Sequence, residues 1–228
     1  MKPPAIHLAI IKLLVLKDWK LFERQLAATV AAGIVALCFL GMARPWSFYI
    51  GSLLLIVVLV ACACFTISNS LLTERKEHTL PFVMSLPVSP LDFHLAKLIG
   101  NLVIFGIPFL IIALGTIAVI VFTPLPNGLV VLALPVFGHI LLAFSVSLSV
   151  AMAVESEGWN IFVMIGTMLL VNPLLMLLGQ IPAIGDAART ETILWSLPLA
   201  LMLAGQLVGS AAVILASAWF HCRKQSFF

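Results

Sequence analysis

Few residues in this chain carry chemistry, and their spacing decides how much of it is usable. Cys62-Ala-Cys64 is a close thiol pair of the kind that binds a metal or forms a redox couple. On a helix an i,i+2 spacing points two side chains to different faces, which suits small packing residues better. His139 lies in the middle of an apolar run, where a histidine is either a proton relay or a satisfied packing residue. Ser145, Ser147 and Ser149 follow it, but there is no G-x-S-x-G nucleophile elbow. There is no H-E-x-x-H metal helix and no G-x-x-x-x-G-K-S/T phosphate loop. No metal-ligand set is therefore expected, nor any cofactor bound by this chain, and nucleotide hydrolysis by that route is excluded. The chain itself is not expected to be an enzyme. Asn69, Asn101, Gln180 and Gln206 read as polar ties between helices or as the lining of a path. Asn172 stands beside Pro173, where a polar side chain can satisfy backbone groups freed by a kink.

The elements that must position these residues are membrane spans. The chain is 63% hydrophobic and 9% charged, against about a quarter charged in a soluble domain. Runs free of Lys, Arg, Asp and Glu cover 25–43, 45–73, 98–154, 158–185 and 192–222. A span needs roughly 20 apolar residues. The long run is broken by Thr123-Pro124-Leu125-Pro126-Asn127-Gly128, a turn signal, and so holds two spans. Six spans are predicted: about 25–43, 48–72, 92–122, 129–153, 158–178 and 193–219. The fold class is all-α integral membrane, with six transmembrane helices preceded by an N-terminal amphipathic interfacial helix. The expected units are that helix over 1–24, a transmembrane domain over 25–222 with a loop at 73–91 and an external tract at 174–193, and a tail over 223–228.

Basic residues give the orientation. Lys2, Lys12, Lys17, Lys20, Arg24, Arg75, Lys76, Lys97, Arg223 and Lys224 fall on one side, and only Arg44 and Arg189 on the other. Both termini and the 73–97 loop are therefore expected in the cytoplasm, with the chain multi-pass in the cell (inner) membrane. A net charge of +3 calls for no nucleic-acid partner; the partner it implies is the lipid bilayer. Lys17, Lys20 and Arg24 share one helical face and Ile10, Leu14 and Leu21 another, which suits a helix lying on the inner surface. A charged flank that only sets topology is the alternative. The 174–193 tract, punctuated by Gly179, Pro182 and Gly185, reads as short helices dipping into the outer leaflet or as a plain loop.

The longest charged stretch, Thr73 to Lys97, lies between two spans. Within it, 79–86 can form a short helix with Leu80, Val83 and Met84 on one face. Pro81 fits its first turn and Pro87 stops it. Ser89, Pro90 and Asp92 then read as an N-cap, a first-turn proline and an acidic third position opening a new helix. A membrane body with no energy source of its own and a built loop points to an external motor.

Glu74-Arg75-Lys76-Glu77-His78-Thr79-Leu80, then Ser85-Leu86-Pro87-Val88-Ser89, then Ala96-Lys97-Leu98 resembles the loop between spans 2 and 3 of type-2 ABC transporter permeases. Members typically carry E-R-x-x-G-T-L, S-L-P-V-S and A-K-L there. This chain departs from the pattern at His78, usually Gly, and at Pro90, commonly a basic residue. The likeness covers about 25 residues, extended by the span count and the N-terminal helix.

The resemblance implies a permease subunit of an ATP-driven exporter, paired with itself or a second permease subunit. Separate ATP-binding cassette subunits would hold ATP and Mg. Leu80, Pro81, Phe82, Val83, Met84, Ser85 and Leu86 would be the coupling helix, flanked by Glu74, Arg75, Glu77 and Thr79. Glu155 and Glu157 would form a second cytoplasmic contact or a solvated turn, and Asn69, Asn172 and Pro173 are candidates for pathway or gating. An amphipathic or hydrophobic substrate would move by alternating access. The alternatives are a stand-alone secondary transporter or channel, with an ion site at His139 and Asn172, and a membrane assembly factor.

Overall fold

The structure is a computed structural model that describes residues 8–72, 90–154 and 156–223. The chain is an all-α multi-pass membrane protein with six helices long and apolar enough to cross a bilayer. Helix α1 runs Leu8–Gly41 and α2 Pro45–Ile67, the latter continuing into a π-helical turn, Ser68–Leu72. Helix α3 is Pro90–Phe122 and α4 is Leu129–Ala153. The fifth span is made of α5, Glu157–Leu169, and α6, Val171–Gln180. A short α7, Pro182–Gly185, and a 3-10 turn, Ala187–Arg189, lead to α8, Leu197–Arg223.

The expected boundary at residue 24 is not marked by any break. Residues 8–41 form one uninterrupted helix, because no glycine or proline occurs from Leu8 to Ala32 to stop it. At 1.5 Å per residue its 34 residues extend about 50 Å, well beyond a hydrocarbon core of about 30 Å. A three-residue turn, 42–44, reverses the chain, with Ala43 at a left-handed φ of 51° that a β-carbon disfavours. Arg44 caps α2 through Ser47: the Arg44 N–H donates to Ser47 Oγ at 3.2 Å, and Ser47 Oγ donates to the Arg44 carbonyl at 3.0 Å. Gly51 then lets α2 lie directly on α1. A β-carbon there would sit 2.6 Å from the Leu40 nitrogen and 3.1 Å from the Ala36 carbonyl.

Helix α1 packs chiefly on α3 and then on α2, while α4 packs chiefly on α8 and then on α5. The two groups meet through aromatic rings. Phe105 of α3 stacks on Phe144 of α4 at 4.0 Å and 18°, and Phe109 meets Phe137 edge-on at 6.1 Å. Such ring pairs add to the dispersion that holds helices together where lipid removes the usual hydrophobic drive. Helix α4 is the most enclosed; α8 shows most of its apolar surface outward, as lipid solvation permits.

The 174–193 tract is helical and folds back under the start of α4. The Gly128 N–H donates to the Thr190 carbonyl at 2.9 Å, and a β-carbon at Gly128 would collide with the Ala187 carbonyl. Ile184, Ala187 and Ala188 are buried there, while Asp186, Arg189 and Glu191 face outward.

Candidate functional site

The largest concentration of buried polar groups lies where α1, the end of α2 and the start of α3 meet. Asp18 and Lys97 form an ion pair at 3.0 Å, with side chains only 4% and 6% exposed. Lys17, largely exposed, approaches the other carboxylate oxygen at 3.7 Å. One helical turn beyond Lys97, Asn101 donates from Nδ2 to Ser70 Oγ at 2.9 Å and to the Lys97 carbonyl at 2.8 Å. Asn69 donates from Nδ2 to Gln25 Oε1 at 3.1 Å. A π-helical turn widens the helix and re-aims its side chains. Here the consecutive Asn69 and Ser70 reach two different helices, α1 and α3.

On α1 the polar residues follow one face: Asp18, then Gln25 seven residues on, then Thr29 four further. Opposite them on α2 stand Cys62 and Thr66. The Thr hydroxyls donate to Gln25 and Cys62 carbonyls, at 2.9 and 2.7 Å. The Cys62 thiol lies within hydrogen-bonding reach of both hydroxyls. A cavity of about 10 Å³, lined by these groups and by Phe22, Leu26 and Ile104, has room for one water. Cys62 is buried, Cys64 partly so, and neither is bridged.

Sequence reading used Lys97 for orientation and for the A-K-L motif and gave Asp18 no role; their burial against each other is the main departure from it. Gly41 lies beside Val119, so the hairpin end of α1 is level with the end of α3. Asp18 is 23 residues from Gly41, roughly 35 Å along the helix. The pair therefore stands one hydrocarbon thickness from the hairpin, at the membrane edge near the end of the π-turn and the start of α3, and not in mid-membrane.

Of the predicted site residues, Glu74, Arg75, Glu77, Thr79, Leu80, Pro81, Phe82, Val83, Met84, Ser85, Leu86 and Glu155 lie outside the described residues. Glu157 opens α5 beside its N-cap Ser156, where a carboxylate suits the positive end of the helix dipole. Beside it a shallow groove of about 360 Å³ runs along Gly158, Trp159 and Phe162. Asn69 is one of the polar ties just described. Asn172 and Pro173 face outward at the junction of α5 and α6, far from that cluster in sequence and in the fold.

Asn172 faces outward at the α5–α6 junction. His139 of α4 ties α4 to α5, with Nε2 3.2 Å from the Thr167 carbonyl. This carbonyl can only accept, so Nε2 carries the proton. Ser147 meets Thr167 Oγ1 at 3.1 Å, and Ser145 and Ser149 donate to the Leu141 and Val213 carbonyls. None of the three hydroxyls bonds to His139, which acts as a packing residue. Gln206 of α8 donates to the Pro135 carbonyl at 3.0 Å and ties α8 to α4. Among the described residues no three His, Cys, Asp or Glu side chains come together as a metal site.

No protein family, no curated protein and no solved structure matches this chain.

Proposed function

We propose that this chain is the membrane-spanning permease subunit of an ATP-driven exporter of the type-2 ABC class. The reading rests on one observation: the E-R-K-E-H-T-L and S-L-P-V-S motifs lie between the second and third of six spans, with A-K-L in the first turns of the third. A loop there with Leu80, Val83 and Met84 on one face has no lipid to bury them in and needs a protein pocket. The pocket belongs to a separate ATP-binding subunit, which holds ATP and Mg. Two permease chains, identical or related, enclose the path. An amphipathic or hydrophobic substrate suits walls without mid-membrane charge. The chain sits in the inner membrane with both termini and residues 73–89 in the cytoplasm.

Orientation is checked by thiol labelling in a background without the native cysteines. Cysteine at Glu191, an exposed position, should react with an impermeant reagent in intact cells, and cysteine at Lys76 should not. Labelling at Lys76 from outside overturns the orientation.

The function is tested by tagging the chain, purifying it from its own membranes and reconstituting it in vesicles. The preparation should contain a phosphate-loop ATPase and hydrolyse ATP; the chain stripped of that subunit should not. Hydrolysis undiminished after stripping refutes the reading.

The buried Asp18–Lys97 pair favours a second reading, a secondary transporter, since buried ionisable pairs mark many ion pathways. It ranks lower because the carboxylate is already neutralised by Lys97 and lies at the membrane edge. Transport by the isolated chain under an ion gradient, without ATP, would establish it.

A further inference from the structure

Residues 73–89 leave from the π-helical turn Ser68–Leu72 and return at Pro90. The turn at one stem is bonded to α1 through Asn69–Gln25 and to α3 through Ser70–Asn101. The other stem, the first turns of α3, is bonded to α1 through Lys97–Asp18. Both stems are therefore tied to α1, a helix that neither precedes nor follows the loop directly. The ties spread over about two turns of α1, from Asp18 to Gln25, and one turn of α3, from Lys97 to Asn101.

We propose that Asp18 and Lys97 are positioning residues: they lock α1 to the two stems so that the three elements move as one body. The bonded set gives α1 a reason to stay helical as far as the membrane edge, since Asp18 must stand level with Lys97. A buried ion pair is poor at adding net stability but strong at fixing one arrangement, since any shift strands a charge. For the transport reading above, on which this consequence alone rests, displacement of the stems by a motor is carried into α1 and from there along α2 and α3.

The test uses the full chain in lipid nanodiscs and three forms: wild type, D18N, and D18N/K97M. The first variant takes the carboxylate away from Lys97; the second removes both charges of the pair. Hydrogen exchange is read in the π-turn and in the first turns of α3, against the Phe105–Ile112 stretch of α3 as reference. Both variants should exchange at least tenfold faster at the stems and unchanged at the reference. D18N should melt lower than wild type, and D18N/K97M should recover most of that loss while its stems still exchange fast. If the double variant restores slow exchange along with the melting temperature, the pair is only structural and the proposal is overturned. A uniform rise along all six spans, or no change, overturns it as well. With the ATPase subunit bound, D18N/K97M should keep motor binding and lose most substrate stimulation of ATP hydrolysis. Fast stems in a chain that recruits no ATPase would leave the lock standing and remove the transport reading instead.

Discussion

Replacing Gly51 with leucine should leave little correctly folded protein. The Gly51 position faces the backbone of α1: a β-carbon there meets the Leu40 nitrogen at 2.6 Å, its α-carbon at 3.0 Å and the Ala36 carbonyl at 3.1 Å. Backbone atoms of a helix cannot rotate aside as a side chain can. The turn between α1 and α2 is three residues long, so the hairpin cannot open at its closed end to make room. Extra volume in a well-packed interface costs about 1–3 kcal/mol, and this position belongs at or above the top of that range. Small residues at such crossings are what let membrane helices approach, so the loss also removes dispersion along both helices. The monodisperse fraction after detergent extraction should fall several-fold, with a lower melting temperature for what remains. Gly51→Ala should show the same defects to a lesser degree. A G51L protein that melts with the wild type would mean the two helices pack elsewhere.

The contrast between what sequence reading foresaw and what it missed follows from the range over which each signal acts. Six spans were legible because the runs between charges exceed the length of a hydrocarbon core and Thr123–Gly128 divides the one run that is too long. The start of α3 was legible because a first-turn proline followed by Asp92 is a local signature. The unbroken α1 could have been read: nothing from Leu8 to Ala32 ends a helix, and the basic residues drew attention from that. Asp18–Lys97 was not legible in the same way. The partners are separated by 79 positions, beyond the reach of any local spacing signal. Its one local trace is the spacing of Asp18, Gln25 and Thr29 along a single face, a pattern that only a packed neighbour makes meaningful. His139 reads from sequence as either relay or packing residue, and its bond to the Thr167 carbonyl is a contact that suits packing; Asn172 stands on the outward face of α6.

On the proposed permease reading, replacing both Val83 and Met84 with aspartate should abolish motor binding and transport while the six spans still assemble. Both positions lie outside the six spans predicted from the sequence, so insertion and melting should match the wild type. The effect belongs to the docking surface. An apolar side chain moved from water into a pocket contributes about 1.5–3 kcal/mol, and both contributions are lost. Two carboxylates would then enter the same pocket without partners, where burial of an unpaired charge is opposed far more strongly than loss of the apolar contact alone. A combined loss above about 4 kcal/mol weakens binding roughly a thousandfold, since each 1.4 kcal/mol is tenfold. Pull-down of the ATPase subunit by the double variant, with ATP hydrolysis in the same vesicles, reads this directly. V83A/M84A separates the two contributions: it removes apolar area without adding charge and should weaken binding by a factor closer to a hundred. A double aspartate variant that retains its ATPase and transports normally would make 80–86 a linker. The docking contact would then have to lie at the other loop on the same side of the membrane, around Glu157 and the groove along Trp159 and Phe162. Glu157→Arg would become the deciding substitution.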